Sequence, residues 1–292
     1  MDDSAARVEL ACLLEAAARK PGNVHPGAAF EDLCYQDFVA AAAAIAPVLA
    51  ESRQRGLGSA ILEAVRATRQ RVATNANLGI VLLLAPLCMV DDDEPLEAGV
   101  ERVLAGTTRH DAAAVYEAIR LASPGGLGDA PEQDVRETPA CTLREAMQLA
   151  ADRDLVARQY AVNYKDAFWL ADQIVAAQRT AAEGGAAWDA AIQQGYLQLL
   201  ASRADTLILR KCGPEIAARA QSLALLAVSA GGVHTPVGRA GIAELDCWLR
   251  ADGHRRNPGA SADLVAAALW IVLKRGDVFP HPNRELLIHQ RQ

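Results

Sequence analysis

Apolar residues recur along most of the chain at the three- and four-residue spacing of an amphipathic helix. In the first such segment, Leu10, Leu13, Leu14 and Ala17 fall on one helical face. The stretch "TLREAMQLAADRDLVARQYA", residues 142–161, opens with a capping box and is predicted to run on as one long helix. The same spacing predicts further helices at about 38–49, 61–72, 96–104, 115–122, 167–183, 188–203, 215–229, 240–251 and 261–274.

The chain contains no convincing stretch in which apolar and polar residues alternate with the period of a strand. The pattern therefore predicts an all-α fold, with about a dozen packed helices in a single domain over residues 1–292. The apolar run at 78–90 contains Pro86 and falls short of the roughly 18 residues needed to cross a bilayer, so a buried helix is predicted. One long irregular stretch, 123–140, is predicted to be a functional loop.

Composition and charge narrow the class of protein. Apolar residues make up 51% of the chain and charged residues 22%, which is typical of a globular protein. The net charge of −7 and the absence of a basic run argue against nucleic-acid binding.

The six cysteines are widely spaced and form no CxxC pair, which argues against structural zinc and favours reduced thiols. With no apolar leader at the N-terminus, a cytoplasmic protein without a membrane anchor is expected. The many small residues on the helices make a homo-oligomer plausible.

Polar loops rich in glycine interrupt the helical pattern. Their sequences are "KPGNVHPG" (20–27), "TNANLG" (74–79), "GGLGDAPEQDV" (125–135), "RADTLILRKCG" (203–213) and "NPGASADL" (257–264). Taken singly, each loop is explained by helix capping, because Asn, Asp, Ser and Gly are the residues that begin and end helices. Asp205 is harder to explain in this way, because an apolar segment separates it from two cations, Arg210 and Lys211.

Taken together, the loops hold the groups that phosphate chemistry requires. Lys20, Arg210 and Lys211 could neutralise phosphates, and backbone N–H groups after glycine could bind anions. Several carboxylates remain to hold Mg²⁺, which takes one or two carboxylates together with substrate oxygens. The sequence lacks the P-loop, dinucleotide-binding, HExxH and GxSxG motifs, so any ATP is bound in another way.

In this order, the loops resemble those of the triphosphoribosyl-dephospho-CoA synthase family. The resemblance is carried by "KPGNVHPG", "TNANLG", "ADTLILRKCG" and "NPGASADLVAAALW", and it covers roughly residues 8–273. The family is all-helical and makes the prosthetic group of citrate lyase and malonate decarboxylase. The resemblance implies transfer of the 5-triphosphoribosyl group of ATP to the 2′-hydroxyl of 3′-dephospho-CoA, with release of adenine and with Mg²⁺ as the cofactor.

The resemblance also implies roles for individual residues. Asp205 or Asp134 would be the base or the electrostatic stabiliser, and Asp32 and Asp263 would be ligands of Mg²⁺. The remaining candidates would bind the phosphates, the sugar or the base of ATP, or the coenzyme-like acceptor; they are Lys20, Gly22, Asn23, His25, Asn75, Asn77, Gly126, Arg210, Lys211, Gly259 and Ser261.

The chain departs from the family pattern in two places. The second motif of the family contains His and Lys, whereas the corresponding residues 75–79 read Asn-Ala-Asn-Leu-Gly. After the first loop, "GAAFEDLCYQDF" keeps acidic residues but lacks the histidine of the family. A divergent branch is therefore expected, resembling a subgroup found in archaea and some bacteria. Three alternatives stay open: ribosyl or phosphoribosyl transfer to a different coenzyme or pterin precursor, a non-catalytic nucleotide- or coenzyme-binding protein, and an interaction module of stacked helices.

Overall fold

The fold, which is known from a computed structural model, consists mainly of α-helices, as the spacing of apolar residues predicts. The structure describes residues 3–123, 134–182 and 188–277. The helices of these ranges are α1 (Asp3–Ala17), α2 (Tyr35–Ala50), α3 (Ser52–Arg55), α4 (Leu57–Arg69), α5 (Leu78–Cys88), α6 (Leu96–Ala105), α7 (Arg109–Ala122), α8 (Leu143–Ala150), α9 (Leu155–Ala161), α10 (Lys165–Ala182), α11 (Trp188–Ser202), α12 (Thr206–Cys212), α13 (Pro214–Ser229), α14 (Pro236–Arg250) and α15 (Gly259–Arg275). A 3₁₀ turn (Gly232–His234) and a short strand, β1 (Ala251–His254), complete them.

Helices α5 and α15 form the centre of the core. Helix α5 and residues 264–272 of α15 are apolar on every side, and such segments are stable only when other helices surround them. Helix α15 packs against α1, α5, α9, α10, α11 and α12. The hydroxyls of Tyr160 and Tyr164 donate hydrogen bonds to carbonyl oxygens of α5, at 2.7 and 2.9 Å, so both buried phenols are satisfied. The predicted all-α fold is confirmed, and so is the buried helix predicted at 78–90.

Three local predictions are wrong. The long helix predicted at 142–161 is broken into α8 and α9, because the Asp154 carboxylate caps a new helix by accepting from the backbone N–H groups of Val156 and Ala157. The last helix begins at Gly259 rather than at Ser261. The helix predicted at 240–251 begins earlier, at Pro236, and leads into β1, whose four residues have no repeating pattern long enough to detect in the sequence.

The predicted long loop, 123–140, lies largely outside the described residues. No helix within the described ranges is long and apolar enough to cross a membrane. None of the six cysteines, all of which lie within the described residues, forms a disulfide. The assignment of the whole chain to a single domain stays a prediction.

Candidate functional site

A large cavity lies where the ends of several helices meet. Its volume is about 610 Å³, within the range of small-molecule and cofactor sites. Its lining includes apolar residues of α7, α8 and α9, which we call the apolar wall: Ile119, Leu143, Ala146, Met147, Ala150, Val156 and Ala157. The lining also includes polar and charged residues, which we call the polar wall: Arg69, Asn75, Arg153, Asp154, Arg210, Lys211, Asn257 and Asp263. This main cavity can therefore hold a ligand with one apolar and one highly charged part.

A smaller space, the inner chamber, adjoins the main cavity. Its volume is about 120 Å³, and its own walls include Glu15, Asn23, Phe38, Asn77 and Gly259. The two spaces share the residues Phe30, Leu33, Asn75, Leu78, Gly79, Leu207, Asn257 and Asp263. The N-terminal ends of α5 and α15 therefore form the boundary between them.

Asp263 is the carboxylate on this boundary. It lies one turn into α15 against Gly79 of α5, and a Cβ atom on Gly79 would lie 2.0 Å from Asp263 Oδ2. No described residue donates a hydrogen bond to this carboxylate or forms an ion pair with it. Burial raises the pKa of Asp263 well above its usual value, and the nearby charges of Glu15, Asp205 and Asp154 raise it further. A carboxyl group with such a pKa facing a cavity is typical of functional sites.

Arg210, Lys211 and Arg153 on the polar wall differ in how many contacts they make with other residues of the protein. Arg210 forms an ion pair with Asp154, and its Nε is buried without a hydrogen-bond partner. Lys211 has one contact, from Nζ to Asn257 Oδ1 at 3.4 Å, and burial lowers its pKa. The guanidinium of Arg153 is exposed and makes no hydrogen bond or ion pair with a described residue. Lys211 and Arg153 are therefore available to an anionic ligand.

Asp205, predicted as a base, makes its contacts with neighbouring helices and not with a cavity. The residue is fully buried, and its Oδ1 caps α12 by accepting from the N–H groups of Leu207 and Ile208 at 2.8 and 3.1 Å. Its Oδ2 accepts from the backbone N–H and the hydroxyl of Ser261, at 2.7 and 2.8 Å. Asp205 and Ser261 line neither the main cavity nor the inner chamber. Together they fasten the start of α12 to the first turn of α15.

The loop at 20–27 is likewise mostly occupied by internal contacts. The Lys20 side chain is fully buried, where its ammonium forms an ion pair with Glu15 at 3.0 Å and donates to backbone carbonyls at the end of α1. The Gly22 N–H donates to Asp246 Oδ1 at 2.7 Å, and Gly22 adopts a φ of 76°. A Cβ at Gly22 would lie 2.8 Å from Leu249, which explains the glycine. Neither Lys20 nor Gly22 lines the main cavity or the inner chamber, so their place in a phosphate site stays a prediction that these contacts do not support.

Asn23 and His25, the other predicted residues of this loop, differ in whether they line a cavity. Asn23 lines the inner chamber, although its amide already donates to Tyr196 Oη at 3.0 Å. His25 lies outside both cavities and accepts from the Gly27 N–H at 3.1 Å, and burial lowers its pKa. His25 therefore has no contact with the site.

The remaining predicted residues reach the cavities to different degrees. Asp32 is exposed on the wall of the main cavity, with its Oδ1 3.8 Å from His254 Nδ1. Asp134 also lines the main cavity, but both of its carboxylate oxygens accept hydrogen bonds from the Arg136 guanidinium. Asn75 lies on the shared boundary, where its Oδ1 accepts from the Leu78 N–H at 3.1 Å. Gly126 lies outside the described residues.

Some residues of the site carry no sequence signal that singles them out. Arg69, Arg153 and His254 stand within or beside ordinary helical segments. Asp154 belongs to a stretch predicted as helix interior, and Glu15 reads as one polar position of α1. Only the packing of distant helix ends brings them to the cavities.

The fold and the site define an all-helical protein with a cavity of cofactor size whose lining includes several charged side chains. The family model described as CitG, ATP:dephospho-CoA triphosphoribosyl transferase, matches residues 1–278, so the chain belongs to this family of transferases. A solved structure from Archaeoglobus fulgidus, titled "putative triphosphoribosyl-dephospho-coA synthase", is 26% identical. The match covers 82% of this chain and 100% of that one, with a TM-score of 0.63. No curated protein matches the chain.

Proposed function

We propose that this transferase moves the 5-triphosphoribosyl group of ATP to the 2′-hydroxyl of 3′-dephospho-CoA and releases adenine. The observation that carries the proposal is the carboxylate of Asp263, which has no partner among the described residues and lies on the boundary of two spaces, with Lys211 and Arg153 on the lining of the larger one. A glycosyl donor needs such an arrangement, since its base, its anomeric carbon and its phosphates lie in sequence along the molecule.

The polar wall is the proposed triphosphate site. Lys211 and Arg153 would bind phosphate oxygens directly, and Arg210 would turn its unpartnered Nε toward them. The N-terminal ends of α5 and α15 add a favourable potential for an anion, because their helix dipoles point at the same boundary. Lys20 has no part in this site, since Glu15 and the end of α1 already occupy its ammonium.

Mg²⁺ fits the residues that are present, though not as an ion enclosed by the protein. No group of three or more His, Cys, Asp or Glu residues comes together for a metal among the described residues. Mg²⁺ often needs only one or two carboxylates together with substrate phosphates. The exposed carboxylate of Asp32, on the wall of the main cavity, would hold it. When bound, the ion would neutralise charge on the triphosphate.

Asp263 is assigned a role at the sugar rather than the predicted role in metal binding. Displacement at the anomeric carbon develops positive charge on the ribose, which a nearby carboxylate stabilises. In its ionised form Asp263 would also take the proton of the attacking 2′-hydroxyl as a general base. The bond from C1′ to the acceptor oxygen forms as the bond to adenine breaks.

The apolar wall is the proposed site of the acceptor. Ile119, Leu143 and Met147 would cover the less polar part of a coenzyme-like molecule and exclude water from the reacting carbon. The departure of residues 75–79 from the family motif favours a second candidate function, transfer of the same group to a different acceptor.

The test is incubation of the protein with ATP, Mg²⁺ and a panel of acceptors, with free adenine measured by chromatography. We expect adenine in amounts equal to the triphosphoribosylated product when 3′-dephospho-CoA is present. Adenine release with another acceptor alone would support the second candidate. Failure of every acceptor to release adenine would contradict a transferase role for this site.

A further inference from the structure

Two residues that line the inner chamber, Glu15 and Asn77, carry buried polar atoms that the fold leaves without partners. Glu15 is 4% exposed; one of its oxygens, Oε1, binds Lys20, whereas Oε2 is buried without a hydrogen bond. Asn77 is 5% exposed, and its Nδ2 is likewise buried without a partner. Because an unsatisfied buried polar group destabilises the folded protein, two of them on residues that line one small space need an explanation.

These two atoms are complementary in kind. Glu15 Oε2 is an acceptor that needs a donor, and Asn77 Nδ2 is a donor that needs an acceptor. A metal ion would satisfy the carboxylate oxygen but would leave the amide N–H groups of Asn77 unpaired. A planar ligand that carries an amino group beside a ring nitrogen would satisfy both.

The other walls of the chamber suit a flat aromatic ligand. Phe30 and Phe38 contribute aromatic surface, and Leu33, Leu78 and Leu207 contribute aliphatic surface. The volume of about 120 Å³ suits a single ring system rather than a whole nucleotide. The sugar and phosphates of a nucleotide would therefore extend past Asp263 into the main cavity.

We propose that the inner chamber is the adenine site of the donor nucleotide, where Glu15 Oε2 accepts from the 6-amino group and Asn77 Nδ2 donates to a ring nitrogen. This inference rests on the proposed function, because it takes ATP as the donor. It also gives Asn77 a part in the reaction. A hydrogen bond to a ring nitrogen stabilises the electron pair that adenine carries away when the bond to C1′ breaks.

Binding of the free base tests this proposal apart from catalysis. Adenine binding is measured by calorimetry for the wild type, Asn77→Ala and Arg153→Ala. We expect Asn77→Ala to weaken adenine binding about tenfold, the effect of one lost hydrogen bond in a desolvated site. Folding should not be affected, because the Asn77 side chain makes no capping hydrogen bond to α5. The control Arg153→Ala should bind adenine normally, since Arg153 lines only the main cavity.

The contact with Glu15 is tested by changing the ligand, because replacing Glu15 would also break its ion pair with Lys20. Purine, which lacks the 6-amino group, should bind the wild type about tenfold more weakly than adenine. Equal binding of adenine by the wild type and Asn77→Ala would overturn the proposal. Equal binding of purine and adenine by the wild type would do so as well.

The outcomes separate this proposal from the proposed function. Adenine release from ATP with unchanged adenine binding by Asn77→Ala would keep the function and reject the chamber. Binding of adenine that depends on Asn77, without adenine release under any condition, would keep the chamber and reject the transfer reaction.

Discussion

Asp205 and Asp263 lie beside the same first turn of α15, yet their surroundings are opposite. Asp205 accepts four hydrogen bonds, two from the start of α12 and two from Ser261. Asp263, two residues after Ser261, has no hydrogen bond or ion pair with any described residue and faces both cavities. The first carboxylate joins two helices, and the second is left free for a ligand.

The difference teaches how to separate a structural acid from a functional one. Burial raises the pKa of both groups, so the shift alone does not distinguish them. What distinguishes them is whether the protein satisfies the charge: hydrogen bonds favour the ionised form of Asp205, whereas neighbouring negative charges oppose that of Asp263. A fold keeps an unsatisfied carboxylate at a cost in stability, which is typical of active sites.

The largest effect is expected for Asp263→Asn. Loss of a carboxylate that acts on the reacting carbon should lower kcat for adenine release by about 10²–10⁴-fold. The melting temperature should stay the same or rise, because a neutral amide removes an unpaired charge without changing the shape of the side chain. Steady-state kinetics and thermal denaturation of the same preparation check both parts. A variant with normal kcat would remove Asp263 from the mechanism.

Lys20→Met is expected to cause the largest loss of stability. It leaves Glu15 buried without its counter-ion, and breaking a buried ion pair in this way typically costs about 3–5 kcal/mol. Urea denaturation measures the free energy of unfolding. The double variant Lys20→Met with Glu15→Gln should recover much of that loss. If Lys20 bound phosphate instead, Lys20→Met would raise the KM for ATP and leave the unfolding midpoint in place.

Asp205→Asn should have a smaller effect, on stability alone. The amide nitrogen of Asn would meet the Ser261 N–H, so two donors would face each other and the buried N–H would lose its acceptor. The expected loss is about 1–3 kcal/mol in the free energy of unfolding. Ser261→Ala, which removes only the hydroxyl donor, serves as the matched control and should lose less. In both variants the folded fraction, measured by circular dichroism, should release adenine at the wild-type rate.

The smallest expected effect is a difference between the wild type and Asp263→Asn in how the free energy of unfolding depends on pH. Because the folded-state pKa of Asp263 is raised, the folded protein holds this proton to a higher pH than the unfolded chain does. Its contribution to stability is present below the usual carboxyl pKa and is lost as pH rises toward the raised pKa. The wild type should therefore lose stability relative to Asp263→Asn over this window, by at most about 1.4 kcal/mol per pH unit. Parallel curves of unfolding free energy against pH would contradict the assignment.

The sequence predicted the helices well because burial of one face leaves a repeating pattern, and α5, apolar on every side, was recognised by its unbroken run. The break between α8 and α9 was missed, since Asp154 stands in a stretch whose spacing continues that of a helix. The contacts of Lys20 and Asp205 depend on partners that are distant in the sequence or that stand at an ordinary position of a helix. In the sequence, Glu15 is an ordinary polar position of a helix, and only the fold shows its ion pair with Lys20. Ser261 lies 56 residues from Asp205 in the sequence.

The central claim is that the reaction takes place at Asp263 and that Asp205 only supports it. The most direct measurement is the single-turnover rate of adenine formation from ATP and 3′-dephospho-CoA, taken side by side for the wild type, Asp205→Asn and Asp263→Asn. The account predicts a rate close to that of the wild type for folded Asp205→Asn and a loss of at least about 100-fold for Asp263→Asn. The reverse order, with Asp205→Asn inactive and Asp263→Asn active, would contradict it.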